Sequence, residues 1–167
     1  VSGSADKELS FEVNRGGAPV TLKATPARRE LVDRFGNKMR VGQIQAAAIT
    51  GKTFRRLLGF IRPGVWEFEI EAEIWHEFLR HRSRGPAFQT IVASGAESCT
   101  LHYVKNDRQC RDGDLVLIDF GAEYANYAGD LTRTLPVNGR FTPRQRAVYD
   151  AVLRVQQAAI QMLRPGN

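Results

Sequence analysis

The stretch from Leu115 to Pro136, LVLIDFGAEYANYAGDLTRTLP, constrains this chain more than any other. Leu115 to Phe120 is a nearly continuous apolar run interrupted by one carboxylate, Asp119. Such a run reads as a buried strand, and a buried strand tolerates a charge only where something pairs or coordinates it. Asp130 follows eleven residues later, inside the β-leaning run Tyr127 to Thr134. A hairpin centred between Tyr124 and Ala125 would set Asp119 directly opposite Asp130, with both side chains on one face and Cβ atoms about 4.5–5.5 Å apart. Two facing carboxylates repel, so either one is protonated or a cation sits between them. A divalent metal is the simplest answer. The alternative is a solvated hairpin end with two unrelated aspartates. Tyr124-Ala125 is a poor two-residue turn, so a wider connection is expected.

The rest of the composition bounds the answer. A chain of 167 residues suits one domain or two small ones. No apolar run reaches the roughly eighteen residues of a membrane span, and the polar N-terminus does not read as a signal peptide. Cys99 and Cys110 are too few and too isolated for a disulfide framework or a zinc motif, which points to a reducing compartment and a cytoplasmic setting. The net charge of +6 is concentrated early: residues 1–57 hold eleven Lys/Arg against five Asp/Glu, and residues 58–167 balance at thirteen each. These early charges are scattered without aromatic interleaving, so they read as solvated surface and no nucleic-acid partner is expected.

Along the chain, Leu9, Phe11 and Val13 alternate with polar residues, Gly16-Gly17 makes a turn, and Val20, Leu22 and Ala24 alternate again, a hairpin signal. The composition changes near residue 45, which sets a boundary between residues 1–44 and 45–167. Ala46 to Ile61 has helical spacing of Ile49, Phe54, Leu57, Leu58 and Ile61, ended by Arg62-Pro63-Gly64. A second helix is expected from Trp66 to about Arg82, with Trp66, Ile70, Ile74 and Phe78 on one face and Glu67, Glu69 and Glu71 complementing its positive end. Within it, His76 to His81 nearly spells a zinc-protease motif, but histidines five apart on a helix point to different faces. Phe88 to Val92 reads as a strand. Thr142-Pro143 reads as a helix cap, followed by an apolar stripe of Val148, Val152, Val155, Ala159 and Met162.

Asp119-Phe-Gly-Ala, the eleven-residue step to Asp130, and then Leu-Thr-Arg-Thr resemble the metal hairpin of aminopeptidase P. Ser94-Gly95, a short variable stretch, then Leu101-His102-Tyr103 resemble a second motif of that enzyme and of prolidase. Both belong to the pita-bread metallopeptidases, which also include methionine aminopeptidase and creatinase. The resemblance covers residues 45–167. It implies an α/β (α+β) chain: a β-hairpin segment, then half of a pita-bread fold with antiparallel sheet and covering helices. It implies two divalent metal ions, manganese foremost and zinc, cobalt or magnesium as alternatives, with Asp119 ligating one and Asp130 bridging both. His102 would lie beside the metals, bind substrate and move protons. Thr132 and Arg133 flank Asp130 and could support it, although Arg133 suits a plain ion pair equally well. Glu97-Ser98 stand where the family commonly has Asn-Ala, a departure in the loop before His102.

The implied activity is metal-dependent hydrolysis of the N-terminal residue from peptides with proline in second place. By the same resemblance, a histidine and two glutamates belong to a second half outside these 167 residues. The isolated chain is therefore expected to be inactive, and to associate with itself or with that second half. Residues 1–44, through ELSFEVNRGGAPVTLKATP and DRFGNKMRVGQI, resemble the end of a PDZ domain of site-2 membrane proteases. Two non-enzymatic readings stand beside the peptidase: a pita-bread module that binds proteins or peptides without cleaving them, and a PDZ-like peptide-binding adaptor.

Overall fold

The computed structural model describes residues 9–15, 18–24, 31–32, 38–39 and 42–163. The chain divides into two compact units, Val1–Val41 and Gly42–Asn167. In the first, β1 (Leu9–Arg15) and β2 (Ala18–Ala24) pair antiparallel, from Leu9 opposite Ala24 to Arg15 opposite Ala18. This is the hairpin that the alternating residues call for; its Gly16-Gly17 turn lies outside the described residues. β3 (Leu31–Val32) and β4 (Lys38–Met39) form a second short antiparallel pair.

The second unit opens with α1 (Gly42–Phe60), which starts at Gly42 rather than at Ala46. Ala46, Ile49, Thr53 and Leu57 recur every three or four residues and are buried, so one face of the helix lies on the core. α2 (Glu67–Arg80) buries Ile70, Ile74 and Phe78 against it. The Trp66 backbone N–H, at the cap of α2, donates to Glu69 Oε2 at 2.7 Å, so an acid in the first turn satisfies one free donor. The helix stops short of Arg82 because that residue adopts φ 64°, outside the helical region.

Two antiparallel three-stranded sheets follow. β6 (Ile91–Ser94), β7 (Leu115–Phe120) and β10 (Leu131–Pro136) make one, in the order β10-β7-β6. β5 (Gly85–Pro86), β8 (Ala122–Tyr124) and β9 (Tyr127–Ala128) make the other, in the order β5-β8-β9. β6 begins at Ile91, later than the Phe88 start read from the sequence, because its partners on β7 run only from Asp119 to Val116. A 3₁₀ turn, Gly95–Cys99, then leads into the loop before β7. The arrangement is the mixed helix and antiparallel sheet that the sequence implies.

β7 is central and two-faced. Val116, Ile118 and Phe120 are fully buried, and the Phe120 ring stacks on Phe78 with centroids 6.2 Å apart. Burying each of these side chains contributes about 1.5–3 kcal/mol. Leu115, Leu117 and Asp119 point the other way and are half-buried. Asp119 is therefore not a charge inside the core. Strand alternation puts it on the opposite face.

The hairpin that follows differs in register from the expectation. Tyr124 pairs with Tyr127 and Glu123 with Ala128, so the two-residue turn is Ala125-Asn126. Both residues have positive φ, 53° and 67°, as a type I′ turn requires. The register therefore places Thr132, not Asp130, opposite Asp119. Between the two sheets the strands cross closely at Gly121 and Gly129: a Cβ on Gly121 would overlap the Gly129 carbonyl. Thr50 of α1 braces this crossing, its hydroxyl accepting from the Ala122 N–H at 3.0 Å and donating to Ala46 O at 2.8 Å.

α3 (Pro143–Met162) begins as the sequence indicates. The Thr142 hydroxyl accepts from the Gln145 N–H at 3.2 Å, and the Gln145 side chain accepts from the Thr142 N–H at 2.8 Å. Its apolar stripe is not buried: Val148, Val152, Val155 and Met162 are exposed. No helix among the described residues is long and apolar enough to cross a membrane.

The turn assignment yields a direct test. Ala125 pays for a positive φ that asparagine and glycine tolerate, so the double substitution Ala125→Asn with Asn126→Gly should stabilise the chain by about 1 kcal/mol. In thermal unfolding that is a Tm rise of roughly 2–4 °C. A fall in Tm would contradict the type I′ turn.

Candidate active site

The carboxylates come first. Asp119 sits near the end of β7, between Ile91 of β6 and Thr132 of β10 in register. The Thr132 hydroxyl donates to Asp119 Oδ1 at 2.7 Å, which orients the carboxylate and leaves Oδ2 without a donor among the described residues. Asp130 is exposed and immediately precedes β10. It lies two residues before Thr132, and the pairing of β10 with β7 begins one residue later, with Leu131 opposite Phe120. The structure thus places Thr132, rather than Asp130, opposite Asp119, with Asp130 just before the paired strand. Arg133 turns its Nη1 to the Thr132 carbonyl at 2.7 Å, and no ion pair to Asp130 forms.

His102 occupies the exposed loop between the 3₁₀ turn and β7. Its φ of 50° lies in the left-handed region, which costs a non-glycine residue about 1–2 kcal/mol. Its neighbour Tyr103 is buried, and the phenol donates to Glu67 Oε2 at 2.9 Å. Glu67 itself is fully buried at the start of α2. Its Oε1 accepts from the Ser94 N–H at 2.7 Å and the Ser94 hydroxyl at 2.8 Å, and its Oε2 also accepts from the Arg108 N–H at 3.1 Å. Reading Glu67 only as an acid complementing the helix end missed this. Its position three before Ile70 and seven before Ile74 was the available signal, since that spacing puts it on the buried stripe. Arg108 then reaches Asp114 Oδ2 at 3.2 Å and packs over Gly95, whose φ is 58° and where a Cβ would overlap the guanidinium.

His76 and His81, expected on different faces of the helix, both flank Glu77: the two Nδ1 atoms lie 3.5 and 3.6 Å from its two carboxylate oxygens. Arg56 and Arg80 crowd the same carboxylate. This is an ion-pair cluster, not a metal site. Among the described residues, no group of three His, Cys, Asp or Glu side chains is arranged to hold a metal ion.

The chain matches the model of metallopeptidase family M24 over residues 43–167. It belongs to that family. An Xaa-Pro aminopeptidase of Haemophilus influenzae is 51% identical over 131 residues, covering 78% of this chain and 30% of that protein. The solved structure of zinc-substituted Escherichia coli aminopeptidase P in complex with product aligns with a TM-score of 0.73 and 50% identity, covering 75% of this chain and 28% of that one. A Homo sapiens Xaa-Pro dipeptidase is 33% identical over 173 residues, covering 99% of this chain and 34% of that protein. The chain thus spans about three tenths of the length of the relatives it matches. M24 is a metallopeptidase family, and divalent metal is implied for its site. The M24 chain's carboxylates fit part of such a site: Asp119 Oδ2 and the exposed Asp130 are hard oxygen ligands with no hydrogen bond among the described residues, but two residues do not complete a shell.

Glu67 also shapes the titration of its neighbours. Burial, then the hydrogen bond and charge of Glu67, hold the Tyr103 phenol well above its ordinary range. Burial pushes the Cys110 thiol up to about 11, against an opposing hydrogen bond from Ser94 and with the Glu67 charge adding to the rise. Both groups are raised in the fold, so their stabilising contribution is present below the unfolded values and is lost as pH rises through the folded ones. Urea stability should therefore decline from about pH 9 upward, first through Cys110 and then through Tyr103. Cys110→Ala should flatten the decline between about pH 9 and 11. A wild-type stability that stays level or rises there would contradict the assignment.

Proposed function

We propose that this M24 chain supplies Asp119, Asp130 and His102 to the site of an Xaa-Pro aminopeptidase acting on peptides with proline in second place. The carrying observation is the Asp119–Thr132 hydrogen bond with Asp130 immediately before the adjoining strand, in a chain 51% identical over 131 residues to the Haemophilus influenzae Xaa-Pro aminopeptidase. Thr132 holds one oxygen of Asp119, which would leave the other for a cation, and Asp130, just before β10, would add a second carboxylate. Divalent ions held there would supply Lewis acidity and lower the pKa of a coordinated water. Carboxylate oxygens suit manganese or magnesium, which supports manganese as the working metal. His102, exposed and raised on a left-handed turn, is free to meet the substrate and to accept or donate a proton. Exposed, unpaired Cys99 supports a cytoplasmic setting, where thiols persist.

A chimera tests this reading. Residues 42–163 of this chain, placed in the corresponding stretch of the Escherichia coli aminopeptidase P, should retain manganese-dependent hydrolysis of Xaa-Pro peptides. Asp119→Ala or Asp130→Ala in that chimera should lower kcat/KM by at least about a hundredfold, because each removes a ligand rather than an outer partner. The 167-residue chain alone should not turn over. A chimera that folds, by circular dichroism and melting, yet cleaves nothing would favour the non-catalytic binding module instead.

A further inference from the structure

Glu67 ties three separate points of one segment to a single carboxylate. Ser94 opens that segment, Tyr103 stands in its middle and Arg108 closes it, and all three donate to Glu67. The chain is also held in the reverse sense, since the Glu67 N–H donates to the Arg108 carbonyl at 3.0 Å. Between these anchors the loop is polar and largely exposed, and His102 is directly next to the central one. A left-handed backbone at a non-glycine residue persists only where its surroundings over-determine it. His102 itself is exposed and has no hydrogen bond or ion pair among the described residues, so the restraint must come from its neighbours. Tyr103, buried and bonded to Glu67, is the adjoining restraint.

A carboxylate is a costly way to secure a loop. Its burial is tolerated because four donors satisfy it and because it lies at the positive end of α2, where the helix dipole favours negative charge. Neutral glutamine could not reproduce the set. Its amide nitrogen, placed where Oε2 lies, would meet the Arg108 N–H donor to donor.

We propose that Glu67 is a positioning residue for His102, acting through the Tyr103 phenol to hold the His102 turn in its left-handed conformation. The effect on the turn stands by itself; the effect on turnover rests on the proposed role of His102.

Two variants probe it. Tyr103→Phe removes only the phenol oxygen, and Glu67→Gln removes the charge while keeping the shape. In the labelled 167-residue chain, the wild type should show a strong intraresidue HN–Hα NOE at His102, because positive φ brings those two protons together. Tyr103→Phe should weaken it to the level of an ordinary residue, with the β7 signals and melting temperature largely kept. In the Escherichia coli chimera, Tyr103→Phe should lower kcat by about tenfold to a hundredfold with KM little changed, as expected when a catalytic group is displaced slightly. Glu67→Gln should reproduce both effects wherever it folds. An unaltered NOE at residue 102 in Tyr103→Phe overturns the proposal, and a raised KM at unchanged kcat overturns its effect on turnover. His102→Ala in the same chimera separates the two readings. Unchanged turnover there sinks the catalytic role of His102, while the NOE still judges the latch.

Discussion

The alternation of β7 is the constraint on which the rest of this unit depends. Six residues send Val116, Ile118 and Phe120 into the core and Leu115, Leu117 and Asp119 to the other face. Because the side-chain period is two, a slip of one residue would exchange the two sets. Such a slip would put Asp119 against Phe78 and Ile74 and turn Phe120 outward. Burial of the apolar set therefore fixes where the carboxylate must be. The pairings of β6 and β10 with β7 then decide what stands beside it: Ile91 on one side and Thr132 on the other.

Much of this was legible in the residues, and the misses have physical reasons. The apolar run with one acid identified β7, and Thr142-Pro143 identified the start of α3, because each signal is local and strong. The register of the hairpin was harder. A hairpin centred on Tyr124-Ala125 would oppose the two aspartates, whereas the chain turns at Ala125-Asn126, a pair without the glycine that usually marks such turns. The shift is by two residues, so Thr132 takes the place opposite Asp119 and Asp130 falls just before the paired strand. Gly121 and Gly129 carried the further information that the hairpin bends, since glycines in a strand mark close backbone approach. The start of β6 differs because Phe88 to Val92 is a β-leaning run whose composition alone cannot show where pairing begins.

Glu67 is the instructive miss in the site. Three acids at a helix start read naturally as exposed partners of the helix dipole, and Glu69 behaves so. Glu67 shares its type and neighbourhood but faces inward, where Ser94, Tyr103 and Arg108 surround it. The donors come from a segment far along the chain, so no local pattern could name them. Helical phase could only say that an acid lay on the buried stripe. That Glu67, the Gly121–Gly129 crossing and the Asp119–Thr132 pair converge on the segments carrying His102, Asp130 and Asp119 is what joins fold to proposed function.

The central claim is that Asp119 and Asp130 act together on one divalent cation. Titrating Mn²⁺ into the labelled chain and following paramagnetic broadening of its amide signals tests this most directly, because broadening falls steeply with distance from the ion. The account predicts early loss of the Asp119, Asp130, Thr132 and Gly121 signals, and its suppression by Asp119→Asn or Asp130→Asn. Early broadening centred on Glu77, His76 and His81, or loss around the hairpin that neither substitution alters, would contradict it.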